Sequence, residues 1–227
     1  MTVPAWLQPL VDALPALRVE DFTRFAPPAE GGRDSAVLVL FAEGPHGPDL
    51  LLIERAHTLR SHAGQPAFPG GAVDPEDDGP VAAALREAEE EVGLDASSVD
   101  VLGLLPSLYI PPSGFVVHPV LAFWREPHPV RAVDLAEVAD VVRVPVSDLV
   151  DPANRVSVTH PSGWVGPGFE VADLLVWGFT AGLLDRLLAA AGMELPWDRS
   201  RRRELDAATV ALAARGAFAP RPGDGPV

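Results

Sequence analysis

The sequence predicts an α/β protein, a mixed β-sheet covered by helices, on three observations. Compact apolar runs bounded by Gly and Pro recur through the first two thirds of the chain. Other segments carry apolar residues at helical spacing. The two kinds alternate irregularly, which favours strands of mixed direction over a strict strand–helix repeat. With 227 residues, 48% of them hydrophobic, the chain can bury a sizeable core as one large domain with extensions.

Residues 1–32 read as an N-terminal helical appendage. Trp6, Leu7, Leu10, Val11, Leu14 and Leu17 recur at helical spacing, and Pro9 and Pro15 argue against one long helix. Residues 36–42 (AVLVLFA) and 49–55 (DLLLIER) are strand-like, and the Gly44, Pro45, Gly47, Pro48 cluster between them makes a hairpin. Residues 56–79 lack periodicity and are dense in Gly, Pro and Asp, so they read as one long loop, a kind that is usually functional or disordered. Residues 80–92 form a helix with Pro80 in its first turn and Gly93 just beyond its end. Strands follow near 99–105, 116–124 and 141–146. Residues 174–191 begin as strand or helix and end as helix, and 201–214 form a C-terminal helix. The main domain is thus 33–191, followed by a helical extension over 192–218 and a Pro/Gly-rich tail over 219–227 expected to be disordered.

Composition excludes whole classes of chemistry. There is no Cys, and all 17 basic residues are Arg. Thiolate metal sites, disulfides, Cys nucleophiles, Schiff-base lysines and P-loop lysines are therefore impossible. Catalysis must rest on carboxylates, His, Ser or Thr, Arg, the backbone, or a metal held by oxygen. A formal net charge of -15 opposes binding to nucleic-acid backbones, so no nucleic-acid partner is expected. The longest apolar stretch, residues 174–184, is shorter than the roughly 20 residues a membrane span needs. No basic residue precedes Arg18, unlike a secretory signal, and a soluble cytoplasmic protein is the expectation.

The acid is concentrated. Between Asp74 and Glu91 eight carboxylates face Arg86 alone, which accounts for nearly half of the net charge. On the helix, Leu85, Ala88 and Val92 form the expected buried stripe, while Glu87, Glu90 and Glu91 converge on another face. Three carboxylates on one turn repel each other unless a hard divalent cation joins them. An EF-hand is ruled out: Asp74, Glu76, Asp78 and Gly79 imitate its start, but Leu85 stands where the bidentate Glu belongs.

These residues resemble the Nudix box. Gly70-Gly71 and the run Arg86-Glu87-Ala88-Glu89-Glu90-Glu91-Val92-Gly93-Leu94 match its second half at every defined position. The first half departs: Glu76 keeps one spacing and only Asp78 the other, so the loop is one or two residues longer than the common form. Upstream, Leu51-Leu52-Ile53-Glu54-Arg55-Ala56, then Arg60, Gly64 and Phe68-Pro69-Gly70-Gly71, is similar to the added signature of Nudix enzymes acting on coenzyme A, with Ile53 where Thr is preferred. Residues 176–182 (VWGFTAG) resemble a later segment of the same proteins.

The resemblance implies a Nudix fold, an α/β/α sandwich, and hydrolysis of the diphosphate bond of coenzyme A or its thioesters to 3′,5′-ADP and (acyl-)4′-phosphopantetheine. Another nucleoside diphosphate substrate (ADP-ribose, NADH) or a non-catalytic nucleotide sensor are the alternatives, although the intact glutamates argue against a sensor. The implied cofactor is Mg²⁺ or Mn²⁺, with Glu87 and Glu91 as ligands and Glu90 as a further ligand or the base. Arg86 would orient a box carboxylate, and Gly70 or Gly71 could lend a carbonyl. Glu137 resembles the additional acid that a later loop often supplies, weighed evenly against an ordinary surface Glu. Arg55 and Arg60 would clamp phosphates, since the guanidinium fork matches phosphate oxygens. The expected partner is a small anionic substrate, and a homodimer is compatible with the sequence. His62 and His118 read as structural, Phe115, Trp124 and Trp177 as core, and Arg199 with Arg201–Arg203 as a solvated helix start.

Overall fold

The computed structural model describes residues 3–25, 32–59, 62–111 and 113–214. The N-terminal segment forms α1 (Gln8–Ala13), with Pro9 in its first turn, and the short α2 (Val19–Phe22). Leu7 and Leu10 enter the main core, and Trp6 packs edge-on against Phe41.

β1 (Arg33–Gly44) and β2 (Gly47–Arg55) form the expected antiparallel hairpin, paired only from Phe41↔Leu50 to Gly44↔Gly47. Beyond that they splay. Two short strands, β3 (Pro66–Ala67) and β4 (Gly70–Ala72), fill the wedge, β3 against Ile53 and Glu54 and β4 against Ser35–Val37. This corrects the reading of 56–79 as one unbroken loop. Strands of two and three residues carry no periodicity, and it is the exposed edges of β1 and β2 that recruit them.

α3 (Gly79–Val92) follows, ended by Gly93 in the left-handed conformation. Then come β5 (Val99–Leu104), β6 (Leu108–Ile110), β7 (Phe115–Trp124), β8 (Val138–Pro145) and α4 (Val146–Val150). β7 lies parallel to β1, with Ala36 opposite His118, whereas β5, β6 and β8 pair antiparallel with their neighbours. The sheet is therefore mixed, as predicted.

A second, four-stranded sheet was not legible in the sequence. It comprises β9 (Arg155–Thr159), β10 (Val165–Val171) and β11 (Leu174–Val176), then, after α5 (Gly178–Ala190), β12 (Arg202–Glu204). The expected helix over 201–214 is thus a strand parallel to β9 followed by α6 (Ala207–Ala214). The arginine run is exposed, as expected, but it is not a helix start, and it has partners: Arg201 bonds Glu170 and the carbonyl of Ala153, and Arg203 faces Glu170 at 3.8 Å. The end of the expected helical extension and the tail, residues 215–227, lie outside the described residues.

Alternation along the central strands divides the core. Leu38, Leu40, Leu51, Ile53, Val120 and Ala122 pack under α3, while Val39, Phe41, Leu50, Leu52, Leu121 and Phe123 face α1 and α5. This is an α/β/α sandwich. Arg155, 1% exposed, ties α5 to the second sheet through Asp185 and lies between the rings of Phe169 and Trp197 at 4.3 and 4.8 Å. No helix among the described residues is long and apolar enough to cross a membrane.

Candidate active site

The site begins with small residues. Ala83, Ala84, Ala88 and Val92 are fully buried, and this alanine stripe, with Leu85 only half-buried, lets α3 lie close on the sheet. Glu91 shares the buried stripe rather than a separate face with Glu87 and Glu90, and it is 2% exposed. Glu87 is half-buried and Glu90 exposed, so the three glutamates grade from interior to surface.

Gly70 and Gly71 make that approach possible. The Gly70 N–H donates to Glu91 Oε2 at 3.0 Å. A Cβ on Gly71 would stand 2.4 Å from the Glu87 carboxyl, and one on Gly70 would stand 2.2 Å from the carbonyl of Ala36. At Gly70 the obstacle is β1 backbone, so only glycine fits; at Gly71 a larger residue must displace the Glu87 carboxyl.

Arg86 is the hub of the loop. Its guanidinium donates to both carboxylate oxygens of Asp77 at 2.9 Å, to the carbonyl of Ala72, and to Glu87 and Glu90 at 3.1 Å. These bonds hold the Arg86 charge more firmly than usual and press the Asp77 carboxyl below its ordinary range. Asp77, not Glu76 or Asp78, is therefore the loop acid hydrogen-bonded to the helix, with Asp74 3.6 Å from the same guanidinium, and the sequence did not disclose this role. Spacing could not choose among three neighbouring acids. The choice is made by a turn in which the Asp77 N–H donates to the Asp74 carbonyl while the Asp74 N–H donates to Asp77 Oδ2.

Burial pushes the Glu91 carboxyl up from 4.5 to about 7, opposed by the Gly70 N–H and by Arg55, and assisted by the charges of Glu87 and Glu137. Glu87 is raised too, first by burial, against the pull of Arg86, with Glu90 and Glu137 adding repulsion. Glu137 lies in an exposed turn just before β8, yet its charge acts on both buried glutamates. Arg55 closes the far side, its Nη1 4.0 Å from Glu91 Oε1. Its backbone holds the following loop shut, accepting from the Gly64 N–H and donating to the Gln65 carbonyl. Arg60 lies outside the described residues.

Could these residues hold a divalent metal? Glu91 Oε1 is buried and has no hydrogen-bond partner among the described residues, and Arg55 stands beyond hydrogen-bonding reach. An orphaned carboxylate oxygen with a half-buried glutamate on the same helix face is a donor set suited to Mg²⁺ or Mn²⁺. Among the described residues no three such groups cluster closely enough to form a cage; Glu90 bonds Arg86, and Glu91 accepts from Gly70.

The residues set aside in the sequence reading are placed as follows. His62 bonds Gln65. His118 bridges Ser107 and Asp34. Trp124 is core, donating to Ser98, and Phe115 lies under Arg33. Trp177 is half-buried beside a cleft and stacks on His160.

Known proteins resemble this chain in sequence. The NUDIX domain family profile matches residues 32–161. The protein named Nudix hydrolase NudL from Cronobacter sakazakii is 41% identical over 167 residues, covering 70% of this chain and 83% of that protein. NudL from Escherichia coli K12 is 38% identical over 169 residues, covering 71% and 84%. Among solved structures, a Nudix hydrolase from M. smegmatis, RenU, is 24% identical and aligns over 75% of this chain and 92% of that one, with a TM-score of 0.48.

Proposed function

The chain belongs to the Nudix hydrolase family, and on that premise we propose that it hydrolyses the diphosphate bond of coenzyme A or its thioesters, yielding 3′,5′-ADP and (acyl-)4′-phosphopantetheine. Nudix enzymes act on small nucleoside diphosphate substrates and generally use divalent metals such as Mg²⁺ or Mn²⁺. For this chain the proposed holders of the ion are Glu87 and Glu91, with Glu90 as a further ligand or the base. The observation that carries the reading is the buried Glu91, its Oε1 orphaned, with Arg55 of the upstream signature beside it.

The division of labour follows from charge. A bound divalent ion neutralises the carboxylates and polarises phosphoryl oxygens. Arg55 supplies a guanidinium at the same place, suited to a phosphate oxygen once it turns from Glu91. Water adds across the P–O–P bridge: its oxygen joins one phosphorus, the bridging oxygen leaves with the other, and a proton passes to an exposed carboxylate, Glu90 or Glu137. Arg86 acts as a positioning residue, because its bonds run to Asp77, Ala72, Glu87 and Glu90. Support for coenzyme A in particular is the motif running from Leu51 to Gly71, whose Arg55 and Gly70 both contact Glu91.

The deciding experiment is turnover by the purified protein with Mg²⁺ or Mn²⁺ across coenzyme A, acyl-coenzyme A, ADP-ribose, NADH and dinucleoside polyphosphates. The expected result is the highest kcat/KM with coenzyme A or a thioester. A large preference for ADP-ribose would overturn the substrate while leaving the family in place, and absence of turnover on all would favour a sensor.

A further inference from the structure

A cleft of about 290 Å³ opens on the face of the sheet away from α3, between the loop after β2 and the second sheet. We propose that it receives the uncharged pantetheine arm of the substrate while the diphosphate lies at Glu91, an inference that rests on the coenzyme A reading.

The two places are close and connected. Glu54 lines the cleft, and its neighbour Arg55 faces Glu91. A β-bulge against β8 falls at these two residues, and it is their contacts that show β2 sending one side chain to each place. On the return segment Pro66 lines the cleft and the Gly70 N–H holds Glu91. Four residues separate them, so cleft and carboxylate lie within about 14 Å along the chain. An extended pantetheine arm spans that distance around the end of the sheet.

Chemistry decides which end of the molecule enters. The walls are apolar, formed by Leu174, Leu175, Trp177 and Leu205. The rim is acidic: Glu54, Asp173 and Glu204 stand there with Arg203, whose charge already faces Glu170 at 3.8 Å, and His57, which sits on Glu54 at 3.1 Å. Such a rim repels the phosphorylated nucleotide end of the substrate. It accepts a neutral chain whose amide N–H groups donate to carboxylates and to the Thr209 hydroxyl, and whose methylenes lie on the leucines and Trp177. A half-buried tryptophan lining an otherwise open apolar cleft is the kind of surface a flexible neutral ligand covers.

The test uses pantetheine itself, which carries no phosphate, with the intact protein. Pantetheine should shift the Trp177 indole N–H resonance and inhibit coenzyme A hydrolysis competitively. Thr209→Trp, which narrows the cleft, should abolish both effects and raise KM for coenzyme A about ten-fold, equivalent to about 1.4 kcal/mol of binding. Because this variant could also disturb α6, Leu174→Ala provides the converse: it should weaken pantetheine inhibition by widening the wall. If wild-type protein hydrolyses coenzyme A but pantetheine leaves Trp177 unmoved, or Thr209→Trp leaves KM unchanged, the cleft assignment is wrong and the substrate stands. A polyamine moving the Trp177 signal in preference to pantetheine would equally overturn it, as the mark of a cation site. Failure of the wild-type protein to hydrolyse coenzyme A at all removes the substrate reading, and this proposal with it.

Discussion

Glu91→Gln removes a negative charge that burial opposes, so the variant should be more stable than the parent protein and yet inactive. In the metal-free folded state the carboxyl titrates at about 7 rather than 4.5. Between those values the folded chain binds more protons than the unfolded one, and stability falls as pH rises through the window. Above pH 7 the charge costs about 3 kcal/mol, from roughly 1.4 kcal/mol per unit of displacement. Gln keeps an acceptor for the Gly70 N–H but turns a donor toward Arg55, which reduces the gain. A stabilisation of about 1–3 kcal/mol at pH 8 is expected, or roughly 2–10 °C in Tm for a chain of this size. At pH 5 it should shrink to under about 1 kcal/mol. The assay is thermal unfolding in EDTA at both pH values, repeated with Mg²⁺ or Mn²⁺, which should stabilise the parent and leave the variant unchanged. Equal Tm for both proteins at pH 8 would refute the buried-charge argument, and retained hydrolysis would refute the metal site.

Gly71→Ala places a methyl group 2.4 Å from the Glu87 carboxyl and should push it aside by about 1 Å, lowering kcat/KM roughly a hundredfold with little change in Tm. Among the loop acids, Asp77→Asn should lower kcat about tenfold by loosening Arg86, while Glu76→Gln and Asp78→Asn stay near the parent; equal effects of all three would dismiss the Asp77 assignment. Asp185→Ala strands the buried Arg155 and should cost about 3–5 kcal/mol in urea unfolding, whereas the double change Arg155→Met, Asp185→Leu should recover most of it. A single variant as stable as the double would show that the pair carries no structural charge.

Much of the chemistry was legible in the chain because it depends on residue type and local spacing. Glu87, Glu90 and Glu91 fall on one helical turn whatever surrounds them, and Pro80 and Gly93 bound that helix by backbone preference alone. The strands of the hairpin follow from compact apolar runs bounded by Gly and Pro. The second sheet was not legible, since residues 155–171 mix strand-formers with Gly and Pro and become a sheet by pairing with each other and with partners near 174 and 202. Nor did the basic run disclose that Arg202–Glu204 pair with β9 as a strand.

The helix and its acids are the sequence's own doing: periodicity put three glutamates together, and the absence of Lys and Cys left oxygen ligands and arginine to do the work. The ranking among those acids belongs to the tertiary structure. Helical spacing sets Glu91 in line with Ala84 and Ala88, but its charge differs from that of Glu90 only when α3 lies on the diglycine strand, where one carboxyl is sealed against Gly70 and the other stays in water with Arg86. Asp77 likewise differs from its neighbours only because a turn aims it at Arg86. Local spacing determines which charges meet, but burial and the reach of a guanidinium, which depend on residues distant along the chain, decide what each charge becomes.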